Sequence, residues 1–233
     1  MQNVCTSTVL TVGHSTRTWK VFLDLLRAHR VERVIDVRSV PRSRHNPQFN
    51  QETLRRKLRA ARIGYVHLRK LGGLRHARRD SSNMGWRNSS FRGFADYMQT
   101  SEFDAGLQRL IKLAGQKRSA LMCAEAVPWR CHRSLIADAL TVLGIRVEHI
   151  MSKNRSHVHS LTSFGRVRHS RITYPNSKSM GSTDANPCVR PSQTRSELFL
   201  FYDSVANTQR RVGLSGKAFA RSGNEAGFRA FGN

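Results

Sequence analysis

One segment of this 233-residue chain concentrates most of its reactive chemistry: Leu121-Met122-Cys123-Ala124-Glu125-Ala126-Val127-Pro128-Trp129-Arg130-Cys131-His132-Arg133. It reads as the end of a strand, a loop turned by Pro128 and Trp129, and the start of a helix. A helix start presents free backbone N–H groups and the positive end of a dipole, so it attracts anions. Arg130 and Arg133 add charge at that point. The same field favours a thiolate, which makes Cys131 a candidate nucleophile and His132 a candidate acid or base. Cys123 and Glu125 are further catalytic candidates. The plainer reading is that both cysteines are small buried core residues and that His132 caps a helix turn. Cys123, Cys131, His132 and His14 are also metal donors. Their C-x7-C-H spacing differs from the C-x2-C of common zinc sites, so no metal is assigned. The interval from Cys123 to Arg130 is likewise one residue longer than the C-x5-R of phosphatase loops.

The elements that must position this segment alternate between strand and helix. Val9 to Val12 reads as a buried strand ended by Gly13-His14-Ser15. A helix follows from Thr16 or Thr18, with Trp19, Phe22, Leu23 and Leu26 on one face. Arg33 to Val37 is a second strand, stopped by Pro41. Asn50 is a candidate cap for a helix with Leu54, Leu58 and Ala61 inward. Tyr65 to Leu68 is a third strand, and a long loop from about Lys70 to Ser90 contains Gly72-Gly73. Phe91 to Leu113 is helical, in one or two pieces. Ser119 to Cys123 is the fourth strand, Cys131 to Leu143 a helix, and Val147 to Ile150 the fifth strand. The pattern predicts an α/β domain, a three-layer sandwich with a mostly parallel sheet of about five strands.

In such sheets ligands sit beyond the carboxyl ends of the strands. Strand one delivers Gly13, His14 and Ser15 there; strand two delivers Asp36, Arg38 and, just beyond, Arg42; strand three delivers His67. With Arg130 and Arg133 these form the candidate ligand-binding set, and His14 joins the catalytic candidates. His14-Ser15 lacks the G-x-S-x-G context of an acyl-transfer elbow. Asp36 is placed to orient His14 or to hold Arg38. Gly72-Gly73 permits close backbone approach to a ligand. Phe94 and Tyr97 stand at helical spacing and are expected in the core.

The formal net charge is +25 and the isoelectric point about 11.5. Residues 1–175 hold 32 basic and 11 acidic residues, so the charge belongs to that part of the chain. A surface of this kind attracts phosphate, whether on a small molecule or on nucleic acid. No apolar run reaches membrane-spanning length, and Met1 to Leu10 lacks a secretory pattern. Four cysteines are too few for a disulfide scaffold, and a reducing cytoplasm is the expected location. Residues 176–233, rich in Ser, Asn, Gly and Thr, are expected to be a disordered or loosely attached extension of a domain covering 8–175.

The chain resembles the DUF488 family. The resemblance rests on Thr11-Val12-Gly13-His14-Ser15, on Asp36-Val37-Arg38-Ser39-Val40-Pro41-Arg42-Ser43 and on Asn46-Pro47-Gln48-Phe49-Asn50. It continues through Tyr65-Val66-His67-Leu68, Leu71-Gly72-Gly73 and Trp86 to Met98. The run from Met122 to Leu140 is its most specific part, and Val147-Glu148-His149-Ile150 closes it. It implies an intracellular α/β protein whose recurring motifs form a site, without an assigned activity or cofactor. Two functions follow as expectations. One is an enzyme binding a phosphate-bearing or other anionic ligand at the carboxyl edge of the sheet. The other is a non-catalytic nucleic-acid-binding module using the basic loops around 38–44 and 69–79. Oligomeric state and cofactor are not legible in the sequence.

Overall fold

The computed structural model describes residues 8–176; the expected extension 176–233 lies, but for its first residue, outside the described residues. Five strands in one direction form the body of the sheet: β1 (Val9–Gly13), β2 (Arg33–Asp36), β3 (Gly64–His67), β4 (Ser119–Cys123) and β5 (Val147–Ser152). A sixth, β6 (Arg155–Val158), pairs antiparallel with β5, giving the order β3-β2-β4-β1-β5-β6. A separate antiparallel hairpin joins β7 (Arg166–Arg168) to β8 (Arg171–Thr173). The expected α/β architecture stands, with one strand more in the main sheet than the apolar runs announce.

β1 and β4 are buried at all five positions. They lie side by side at the centre of the sheet, where both faces are covered and an unbroken apolar run is the stable pattern. Alternation assigns their side chains to two cores. Leu10, Val12, Val34, Ala120 and Met122 meet α1 (Trp19–Ala28) and α2 (Gln51–Ala60) through Phe22, Leu25, Leu26, Leu54 and Leu58. Val9, Ile35, Leu121 and Cys123 face α3 (Ser89–Tyr97), α4 (Ser101–Gln116) and α5 (Arg133–Val142) through Phe94, Leu107, Leu110, Leu135 and Ile136. The result is helix layer, sheet, helix layer.

Three helix starts are set by side chains. Thr18 accepts from the Val21 N–H at the start of α1, Asn88 from Ser90 and Phe91 at α3, and Thr100 from Phe103 at α4, each satisfying orphan donors of a first turn. Asn50 stands at the start of α2 but does not cap it. Its Oδ1 accepts instead from the Ser43 N–H at 2.7 Å, which fixes the arginine-bearing loop after β2. Residues 133–140 of α5 are all buried, since β8 and the segment before it cover the face turned away from the sheet.

Candidate functional site

The loops leaving β1 and β4 run to opposite faces of the sheet, opening a crevice between two neighbouring strand ends. The ladder continues past the strands: the His14 N–H donates to Cys123 O at 3.0 Å and the Ser15 N–H to Ala124 O at 2.7 Å. Gly13 makes this approach feasible. A Cβ there would stand 1.8 Å from Glu125 O, so any side chain would expel the 124–126 segment from the end of β1. Ser15 holds a left-handed backbone, φ 46°, a conformation that costs a non-glycine residue of order 1 kcal/mol.

Above the crevice lies a cleft of about 640 Å³. Its lining brings together nine of the thirteen sequence candidates: His14, Ser15, Arg38, Arg42, Cys123, Glu125, Arg130, Cys131 and His132. Gly13, Asp36, His67 and Arg133 are not on the surface of the cleft but support it. The cleft also includes residues that sequence reasoning did not select, among them Ser39, Asn46, Leu74 and Phe91. Those from the loop 72–88 carry no local signal that would place them at the end of β4.

Arg38 is committed inside the protein. Its Nε and Nη2 grip the two oxygens of Asp36 at 2.9 and 2.6 Å, Nη2 also donates to Phe49 O, and Nη1 reaches His14 Nε2 at 3.2 Å. Both partners of this ion pair are buried, 6% and 0% exposed, so loss of either would strand a charge. Tyr65 donates to the same carboxylate at 2.9 Å; burial and the Asp36 charge hold its phenol protonated far above the ordinary tyrosine range. His67 Nε2 donates to Arg38 O at 2.9 Å, so His67 fixes the backbone rather than facing the cleft.

These bonds also define His14. Arg38 can only donate, so Nε2 accepts and Nδ1–H donates to Ser15 O at 2.9 Å. Burial and the adjacent guanidinium hold its pKa below the ordinary value, and the ring stacks on Phe49 at 4.2 Å. Neither nitrogen has a free lone pair or proton to offer a ligand.

His132 is built differently. Its Nε2 lies 3.1 Å from both Val37 O and Leu71 O. Two acceptors require that this nitrogen carry the proton, which leaves Nδ1 for the two thiols: Cys131 Sγ at 3.7 Å and Cys123 Sγ at 3.9 Å. Gly73 leaves room for the ring, since a Cβ there would sit 2.5 Å from Nδ1. The close approach that Gly72-Gly73 permits is thus to His132 and Ser39, within the protein.

The two free thiols differ. Cys123 is held well below the ordinary thiol range by the hydrogen bond from Cys131, against the effect of burial and aided by His132 and Arg133. Cys131 is pushed well above it by that same bond and by burial. This reverses what its place at a helix start suggests alone: the two sulfurs lie within 4.8 Å of each other, and the charge is favoured on the one bordering the cleft more openly. Arg133 lies behind them, 1% exposed. Its Nη2 donates to Ala126 O at 2.7 Å, while Nε and Nη1 have no hydrogen-bond partner. Burial works against its charge and the neighbouring thiols favour it. The two Sγ atoms and a His132 ring nitrogen lie within 4.8 Å of one another, and the same three residues could hold a thiophilic cation.

Exposed Arg42 and Arg130 leave their charges toward the mouth of the cleft, with Glu125 opposing them. Val40, Leu74 and Trp129 nearby are 61%, 74% and 64% exposed. Among the described residues no helix is long and apolar enough to cross a membrane.

Comparison with curated proteins and with solved structures found no match. A family model, described as domain of unknown function DUF488, matches residues 18–140, which include α1 to α4, the Cys123–His132 segment and most of α5. That is more than half of the chain, and the chain belongs to the DUF488 family.

Proposed function

We propose that this chain is a thiol-dependent enzyme acting on an anionic, phosphate-bearing small molecule bound in the cleft at the ends of β1 and β4. The observation that carries this reading is the contact between Cys123 Sγ, on the cleft, and His132 Nδ1, the nitrogen left open by two backbone carbonyls. A thiol paired with an oriented base is the arrangement that nucleophilic catalysis requires. Cys123 is the nucleophile in this scheme, His132 takes and returns its proton, and the buried Arg133 charge supports the thiolate. Arg42 and Arg130 hold the anionic group of the ligand. Arg38, Asp36, His14 and His67 are positioning residues that keep the loop after β2 at the strand ends.

Protection of Cys123 tests this directly. Inorganic phosphate or a nucleoside monophosphate should slow its alkylation by iodoacetamide saturably, and the Arg42→Gln, Arg130→Gln double variant should lose that protection. Protection by chloride at equal ionic strength, or none by either phosphate compound, would count against an anion-binding active site.

A nucleic-acid-binding reading is favoured by the exposure of Arg42, Arg44, Arg69, Lys70 and Arg79 on the two basic loops. It predicts binding to nucleic acid that falls steeply with salt and survives Cys123→Ser.

A further inference from the structure

A lone nucleophile would explain Cys123 and His132, but it leaves Cys131 without a part. It is 3% exposed against 7% for Cys123, and its sulfur is one of three donor atoms within 4.8 Å of one another. Its sulfur lies within 4.8 Å of the Cys123 sulfur and shares the same base, since His132 Nδ1 stands 3.7 Å from Cys131 Sγ and 3.9 Å from Cys123 Sγ. Both cysteines are reduced. The seven residues between them form a turn that includes Pro128–Arg130, and Arg133 holds that turn through Ala126 O.

We propose that Cys123 and Cys131 form a two-thiol redox centre, in which Cys123 is oxidised by a hydroperoxide and Cys131 resolves the product as an intramolecular disulfide. The inference rests on the reactive-thiol reading above and assigns that site a second activity. In the first step the Cys123 proton passes to His132 Nδ1 and the thiolate attacks the terminal peroxide oxygen. An S–O bond forms, the O–O bond breaks, and the leaving hydroxide or alkoxide takes that proton from His132 to depart as water or an alcohol. Cys123 becomes a sulfenic acid, oxidised by two electrons, and the peroxide is reduced by two. In the second step His132 Nδ1 accepts the Cys131 proton and the Cys131 sulfur attacks the Cys123 sulfur. An S–S bond forms, the S–O bond breaks, and the hydroxide leaves as water with that proton. Two equivalents of a small free thiol then reduce this bond to two S–H groups and depart as their own disulfide.

Three features fit this division of labour. Cys123, 7% exposed against 3% for Cys131, is the sulfur placed to meet a peroxide entering the cleft. The less exposed sulfur lies within 4.8 Å of its partner and 3.7 Å from the shared base, which directs resolution within the chain. The buried Arg133, with two donors unpartnered, stabilises an anionic sulfur and disfavours an added cation at the same three donors.

The full chain treated with one equivalent of hydrogen peroxide and then digested with trypsin provides the test. Trypsin cleaves after Arg118, Arg130 and Arg133, so the bond would join peptide 119–130 to peptide 131–133. The expected product is that linked pair, two hydrogens lighter than its parts and separated again by dithiothreitol. In Cys131→Ser the linked pair should vanish and Cys123 should be trapped by dimedone. Oxidation of Cys123 without linkage, linkage to Cys5 or Cys188 instead, or a bound metal ion that shields both thiols would overturn the proposal. Iodoacetamide separates the two readings. Alkylation of Cys123 without disulfide formation overturns this inference alone, while absence of both reactions overturns the reactive-thiol reading as well.

Discussion

Two buried polar clusters border α5, and they are closed to different degrees. Midway along the helix Asp138 accepts from His159 Nε2 at 2.9 Å, from Tyr174 Oη at 2.7 Å, and from the backbone N–H and hydroxyl of Thr162 at 3.0 and 2.7 Å. His159 Nδ1 meets His149 Nε2 at 3.0 Å, and His149 Nδ1 meets the Thr11 hydroxyl at 2.7 Å. One run of donors satisfies the whole chain, each pointing toward Asp138: the Thr11 hydroxyl to His149 Nδ1, His149 Nε2 to His159 Nδ1, and His159 Nε2 to Asp138. At the helix start, Arg133 keeps two unpartnered donors, His132 Nδ1 faces only sulfur, and both thiols are free. A satisfied network rigidifies; one with open positions has something to offer a ligand. The first cluster pins the β7–β8 segment to the sheet through Tyr174, and the second faces the cleft.

Opening the closed cluster should have the largest effect. Asp138→Ala should cost about 3–5 kcal/mol of stability, because four donors lose a fully buried acceptor. Urea unfolding would measure it, and a loss below about 1 kcal/mol would deny that the network is structural. The remaining folded protein should still alkylate at Cys123.

The converse change, His132→Gln, should act on chemistry. The rate of Cys123 alkylation near neutral pH should fall roughly 100-fold, the usual scale for losing a positioned base. An unchanged rate would remove His132 from the site.

Acid should affect the closed cluster first. Burial, then the charges of His159, Arg133 and His157, lower the His149 pKa to about 3, against the opposing pull of Asp138. The unfolded chain therefore binds more protons than the folded one between about pH 6.5 and pH 3. This contribution to stability is complete above the unfolded pKa and is lost as pH falls through that window. Denaturation midpoints should already decline between pH 6.5 and 5, above the range of ordinary carboxylates. A flat profile there would contradict a neutral buried His149.

The smallest stability effect should come from Arg133→Met, within about 1 kcal/mol, since two of its donors are unpartnered before the change and an apolar side chain of similar length fills the space. The Cys123 thiol pKa should rise. A loss of several kcal/mol with no change in thiol ionisation would make Arg133 structural instead.

The strands that carry the site were legible because β1, β2 and β4 are central, apolar runs, and a parallel sheet sends all their polar ends to one edge. The strands that close the Asp138 cluster were not. β6 is exposed at every position, so it has no alternation to read. β7 and β8 are three residues each, joined by His169 and Ser170 with φ of 47° and 59°, where an Asn-Gly pair would have announced the turn. In the site the sequence supplied the residue types but not their order of contact. His14 looked as free as His132 until Arg38 and the Ser15 carbonyl were seen to occupy both its nitrogens. Cys131 looked the more acidic thiol until its contact with Cys123 and its burial were known. Gly73 gave no hint that it clears space for an imidazole 59 residues later.

Cys123, not Cys131, should carry the charge of the pair. Alkylating the full chain with iodoacetamide across pH, and following peptides 119–130 and 131–133 separately by mass, measures this. Cys123 should react with a midpoint well below the free-thiol value of about 8.5, while Cys131 stays unmodified in that range. Reaction of Cys131 first, or a Cys123 midpoint at or above the free-thiol value, would contradict it.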